Sequence, residues 1–117
     1  MFRMWRATVN SWHGLVAAAT SERAFREELV ALVIAVPLAF LIAPEAWKRL
    51  LLIGVILFLM VVELLNTAVE KLSDHVTREQ HPDIGRIKDM ASAAVGVALA
   101  IAGFTWLLAF AEWLGLV

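Results

Sequence analysis

The sequence predicts an all-α membrane protein in which three transmembrane helices are preceded by an N-terminal amphipathic surface helix. Two observations carry that expectation. Of 117 residues, 62% are hydrophobic, well above the roughly 45–50% of soluble domains, and the mean hydropathy is +0.79. Apolar runs at about 29–43, 50–62 and 90–111 are the raw material of three spans. So little chain remains outside them that a single membrane-embedded domain over 1–117 is expected. The net charge of −1 and the absence of any basic block argue against nucleic acid as a partner. The absence of Cys excludes disulfides and thiolate metal sites.

Each element follows in order. Over about 1–19, Phe2, Trp5, Val9, Trp12 and Val16 recur at intervals of three and four beside a stripe of Arg3, Arg6, Asn10 and His13. This is the pattern of a helix lying on the membrane surface, with Trp at headgroup level. The N-terminus lacks the apolar core and cleavage site of a signal peptide and is expected to stay in the mature protein. Ser21 is expected to N-cap the next helix, with Glu22 in its first turn. The first span, about 24–47, has an uncharged stretch of 15 residues containing Pro37. It reaches full length by counting back to Arg26, whose stem can snorkel, and forward to Trp47.

PEAWKR at 44–49 reads as a turn into the second span, about 50–70. The connector HVTREQHPDIGRIKD reads as a polar loop, and the third span, about 90–113, follows from Met90. Two small-residue stripes on that helix, Ser92, Gly96, Ala100 and Ala94, Ala98, Ala102, suit close helix packing. Three helices are few to enclose a polar site, so a homo-oligomer is expected. Arg3, Arg6, Arg23, Arg26, Lys71, Arg78, Arg86 and Lys88 fall on one side of the spans, against Lys48 and Arg49 on the other. The positive-inside rule therefore places the N-terminus and the connector in the cytoplasm.

The chemistry is concentrated in VVELLNTAVEKLSD at 61–74. Glu63, Asn66, Glu70 and Asp74 recur once per helical turn, and Glu63 lies about two-thirds of the way across a hydrocarbon core of roughly 30 Å. An ionisable residue inside a span costs about 2.5–3.5 kcal/mol and marks a functional position. Glu63 is thus a candidate general base for a lipid group presented at the membrane surface. Glu70 lies about 10.5 Å further along the axis and nearer water, where a carboxylate suits Mg²⁺. Glu22, at the mouth of the first span, is a candidate second ligand. Lys88, Asp89 and His81 lie close by in sequence, Lys88 as a point charge for phosphate, while Asp74 reads as a solvated helix-end acid. Together these residues fit phosphoryl transfer to a lipid hydroxyl. The glycine-rich phosphate motifs and the H-E-x-x-H metal motif are absent from the chain. The rival reading is a small oligomeric ion or proton channel in which Glu63 and Asn66 line a pore.

SERAFREE at 21–28, ELLNTAVEKLSD at 63–74 and EQHPDIGRIKDMASAAV at 79–95 resemble the small prokaryotic diacylglycerol kinases and their relatives the undecaprenol kinases. The resemblance covers nearly the whole chain, and E-x-x-N-x-x-x-E followed by a K-D pair is its specific element. It implies a homotrimer of three-span subunits in the bacterial inner membrane, with active sites shared between neighbours. It also implies ATP and Mg²⁺, Glu63 as catalytic base, and Glu22 and Glu70 as the metal-binding pair. Nucleotide-contacting positions fall on Arg3, Asn10, Glu79, Gln80, His81, Lys88 and Asp89. Asn10 stands where the family often has an aromatic. Lipid-contacting positions fall on Arg3, Ala7, Arg26, Glu28, Arg49, Glu63 and Ser92, with the motif residue Asn66 beside the base. KDMASAAV is more similar to the diacylglycerol kinase branch, which implies diacylglycerol as substrate and phosphatidic acid as product, with undecaprenol as the alternative lipid.

Overall fold

The computed structural model describes residues 2–117; Met1, the first residue of the expected surface helix, lies outside the described residues. The described chain forms four helices: α1 (Phe2–Ser21), α2 (Arg23–Ile42), α3 (Ala46–Val76) and α4 (Pro82–Trp113). At 31 and 32 residues, α3 and α4 are long and apolar enough to cross a membrane. α2 has 20 residues, but Arg23, Arg26, Glu27 and Glu28 occupy its start. Its uncharged part, 29–42, extends only about 21 Å.

Besides the turn expected at 44–49, which is shorter because α3 already begins at Ala46, two junctions depart from the sequence expectation. Ser21 ends α1 rather than capping α2: its hydroxyl donates to the Ala17 carbonyl at 2.7 Å, and Glu22 takes the N-cap position without a side-chain cap. Arg26 closes the bend instead. It donates to the carbonyls of Ala19 and Thr20 at 3.3 and 3.0 Å, satisfying acceptors that the end of α1 leaves free and placing a cation at its negative pole.

The second departure is the connector. Only 77–81 is non-helical, because α3 runs on to Val76 and α4 begins at Pro82 rather than near Met90. Proline lacks the N–H that a first helical turn leaves unpaired, and its φ is already helical. His81 caps the turn, Nδ1 accepting from the Asp83 N–H at 3.2 Å. Asp83 lies in the first turn, where an acid is favourable. Gly85 costs an exposed helix only about 1 kcal/mol, too little to stop it. Lys88 and Asp89 therefore sit two turns inside α4.

α3 is the central helix. Ala39, Ile42 and Ala43 pack with Leu52 and Ala109 at one end, and Ala18, Phe25 and Met60 form a second cluster toward the other. α4 runs antiparallel to α3, in a register fixed by three cross-links. Lys88 pairs with Asp74, the Trp106 indole N–H donates to the Leu52 carbonyl at 3.0 Å, and Lys48 pairs with Glu112. The small-residue face used within the chain carries Ala98, Ala102 and Ala109, all buried. Ser92, Gly96 and Ala100 are exposed and make no close packing within the chain.

The exterior is strongly apolar. Val33, Leu65, Phe104 and Leu107 are exposed at mid-helix, Phe40 is exposed in the last turn of α2, and Phe2, Trp5 and Trp12 are exposed on α1. Leu52, fully buried where α2, α3 and α4 meet, is the position most sensitive to truncation. Leu52→Ala should cost about 2 kcal/mol or more, read as a lower midpoint of unfolding by sodium dodecyl sulfate in mixed micelles; an unchanged midpoint would show that this cluster does not hold the helices together.

Candidate active site

α3 carries the functional strip because one residue turns the chain by about 100°. Glu63, Thr67, Glu70 and Asp74 thus stay within about 40° of a common line. Burial falls along it: Glu63 and Thr67 are buried, Asn66 is half-buried, and Glu70, Lys71 and Asp74 are exposed. A buried carboxylate needs polar company. Thr67, buried one turn on, supplies a hydroxyl beside it, and the carboxylates of Glu70 and Glu22 are near enough to act on it. Glu28, on α2, is near enough to feel Glu63 as well. The bend between α1 and α2 therefore brings Glu22 and Glu28 to the strip that α3 supplies.

Asn66 is aimed differently from the expectation that it serves the base. Its amide N–H donates to Glu70 Oε1 at 3.2 Å, and its Oδ1 is buried without a partner, as is Oε1 of Glu28. Glu70 and Glu22 offer hard carboxylate oxygens at the wet end of the strip, and the orphaned Oδ1 of Asn66 is a further acceptor beside Glu70. Among the described residues no group of three or more His, Asp or Glu gathers at metal-binding distance. A set of two carboxylates fits Mg²⁺, which keeps several waters and takes one or two carboxylates with substrate phosphates.

Two clefts open at this end. One, of about 630 Å³, lies between α1 and α3 and is lined by Ser21, Glu22, Leu64, Thr67 and Lys71 among others. The other, of about 530 Å³, gathers Glu79, Gln80, His81 and Lys88 around the 77–81 turn; Asp89 follows, exposed on α4. Lys88 Nζ lies 2.6 Å from Asp74 Oδ1. This bond and the ammonium charge hold the Asp74 carboxyl below the usual carboxylate range. Asp74 is the solvated helix-end acid that the sequence suggested, exposed in the last turn of α3, and it also anchors Lys88.

The remaining expected residues divide by position. Arg3, Ala7 and Asn10 are exposed on α1, at intervals that keep them on one side of the helix. Ser92 is exposed on α4, one turn beyond Lys88. Arg26 spends its guanidinium on the α1–α2 bend. Arg49 lies apart, about 21 Å along α3 from Glu63 at 1.5 Å per residue. It donates to the Ala43 and Pro44 carbonyls and stacks 4.8 Å over Phe40. Three residues were missed from sequence: Thr67, Lys71 and the anchoring role of Asp74. The signal for Thr67 was its place one turn after Glu63. Nothing local marks the other two, because their partners come from other helices.

These features define a class of protein: a small helical membrane protein with acids graded from buried to wet and cations gathered at the wet end. The family model for prokaryotic diacylglycerol kinase matches residues 9–110. The diacylglycerol kinase of Escherichia coli K12 is 44% identical over 104 residues, covering 89% of this chain and 85% of that protein. That of Pseudomonas aeruginosa is 42% identical with the same coverage. That of Helicobacter pylori J99 is 33% identical, over 89% of this chain and 81% of its own length. The chain belongs to the prokaryotic diacylglycerol kinase family, and it is a lipid kinase rather than a channel.

The depressed acidity of Asp74 has a measurable sign. Its folded value lies below the unfolded value of about 3.9, so the contribution of the pair to stability is complete above about pH 4 and is lost as the carboxyl protonates in more acid solution. In protein labelled at aspartate carboxyl carbons, the Asp74 resonance should titrate below the ordinary range and move up in Lys88→Met. An unchanged midpoint in that variant would refute the pairing.

Proposed function

We propose that this chain transfers the γ-phosphoryl group of ATP to the free hydroxyl of diacylglycerol, giving phosphatidic acid and ADP, at the cytoplasmic face of the inner membrane. The observation that carries the reading is the graded strip: a buried Glu63 followed, toward water, by Glu70 on the same helix and Glu22 on the neighbouring bend. A lipid hydroxyl approaches from the bilayer side and a nucleotide from the aqueous side. Glu63 is where the two meet.

In the step itself the lipid oxygen bonds to the γ-phosphorus, the bond from that phosphorus to the β,γ-bridging oxygen breaks, and the hydroxyl proton passes to the Glu63 carboxylate. Thr67 keeps that carboxylate oriented. Glu22 and Glu70 would hold Mg²⁺, which when bound neutralises phosphate charge and orients the nucleotide. Asn66 fixes Glu70 through its amide N–H. Lys88, held by Asp74 until phosphate arrives, supplies a point charge to the nucleotide. Asp89, the turn residues Glu79, Gln80 and His81, and Arg3 and Asn10 on α1 complete the nucleotide side. Ala7, Arg3, Arg26, Glu28, Arg49 and Ser92 are the lipid-side positions.

Since Arg49 lies far along α3 from Glu63, its proposed contact is with the lipid's remote acyl region or with a neighbouring subunit's substrate. A homotrimer of three-span subunits with shared sites is supported by the apolar exterior and by the exposed small-residue ridge of Ser92, Gly96 and Ala100. α2 is proposed as the first of the three spans. The basic residues of α1 and of the 71–88 region support a site on the cytoplasmic face.

Phosphate transfer from labelled ATP in mixed micelles, with diacylglycerol and undecaprenol in parallel, is the direct test. Label is expected in phosphatidic acid; label in undecaprenyl phosphate alone would overturn the choice of lipid. Glu63→Gln should lower kcat at least about 100-fold while leaving assembly intact, and a variant with wild-type kcat would remove Glu63 as the base. Glu70→Gln should raise the Mg²⁺ concentration for half-maximal rate by about tenfold or more; an unmoved titration would take Glu70 out of the metal pair.

A further inference from the structure

Lys71 takes no part in the reaction just described, yet it stands on an acid assigned to the metal. Its Nζ lies 3.6 Å from Glu22 Oε2, with the Glu22 side chain 24% exposed and that of Lys71 65%. Both line the cleft between α1 and α3. Glu22 occupies the N-cap of α2 but its side chain caps nothing. Its other partner is the neighbouring Ser21 hydroxyl at 3.0 Å. The ammonium of Lys71 is therefore the charge that balances this carboxylate in the absence of a divalent cation. Among the described residues it is also the one ion pair that ties the α1–α2 bend to α3.

We propose that Lys71 is a positioning residue that acts as the resident counter-ion of Glu22, holding the carboxylate over the cleft until a divalent cation displaces it. The inference rests on reading Glu22 as a metal ligand. A magnesium ion bonds carboxylate oxygen at about 2.0–2.1 Å, so an ammonium on the same carboxylate would face a doubly charged neighbour at close range. One of the two must leave. An exposed ion pair is weak, and its long side chain is entropically costly to hold, so the lysine yields. The consequence is graded: the pair lowers divalent-cation affinity by about two- to fivefold and does not block it. In return Glu22 is kept at the cleft when no metal is present, instead of turning out into water from an unwound junction.

Direct binding of Mn²⁺ to the purified full-length protein in micelles, without nucleotide, tests this through the electron paramagnetic resonance signal of the free ion. Lys71→Met and Lys71→Gln should each tighten Mn²⁺ binding about two- to fivefold. Lys71→Arg, which keeps the charge, should retain wild-type affinity, and Glu22→Gln should weaken binding. If Glu22→Gln weakens binding while both neutral Lys71 variants leave it unchanged or weaken it, the counter-ion role is overturned and Lys71 is only a strap between helices. If Glu22→Gln leaves Mn²⁺ binding unchanged, the assignment of Glu22 itself fails, and this inference falls with it.

Discussion

The enclosure of one carboxylate in an apolar helix is the constraint on which the rest of the arrangement depends. Glu63 follows a run of thirteen apolar or glycine residues at 50–62 and is buried, so protein rather than lipid must surround it. α2 provides that surround. Phe25, almost wholly buried, packs against Met60 and Ala18 with Leu29, Leu32 and Leu64 around them. This sets the start of α2 against the middle of α3. The same docking carries Glu28 toward Glu63 and leaves Glu22, three residues before Phe25, at the mouth of the cleft. Apolar packing thus decides where the acids meet.

α4 is fastened to α3 at both ends, and the two fastenings differ in kind. At the end away from the acids, Lys48 pairs with Glu112 and approaches Glu45 at 3.9 Å. The Lys48 ammonium lies 5.9 Å from the Trp47 ring, and Trp106, Phe110 and Trp113 form a row of contacting rings along the same end of α4, the side chains favoured at a membrane interface. At the acidic end the fastening is Lys88 on Asp74, so a structural tie is made from a side chain suited to phosphate. Both pairs at that end, Lys88 with Asp74 and Lys71 with Glu22, match one functional group with one balancing group. The arrangement keeps isolated charges from facing one another across a partly desolvated cleft.

Exposed apolar residues cover the outside of α3 and α4, and the Ser92, Gly96, Ala100 ridge of α4 points away from the chain's own core. Without water to drive them together, helices in a bilayer associate by close packing and polar contacts. A smooth ridge is suited to that packing. The fold thus leaves apolar surface open along the same helices that carry its acids.

Much of this was legible in the sequence because the bilayer imposes strong local rules. Hydrophobic run length identified α3 and α4, the period of Trp and Phe identified α1, and an acid every turn identified the strip, since each depends only on neighbours along one helix. Element ends were harder. Pro82 and Gly85 suggested a loop where proline in fact begins α4, and Ser21 looked like a cap where the arginine five residues on makes the closing bonds. The tertiary structure alone decided the partners across helices: Lys71 on Glu22 and Lys88 on Asp74. Spacing along a helix reports which side a residue occupies. Which charge meets it there depends on the docking of another helix.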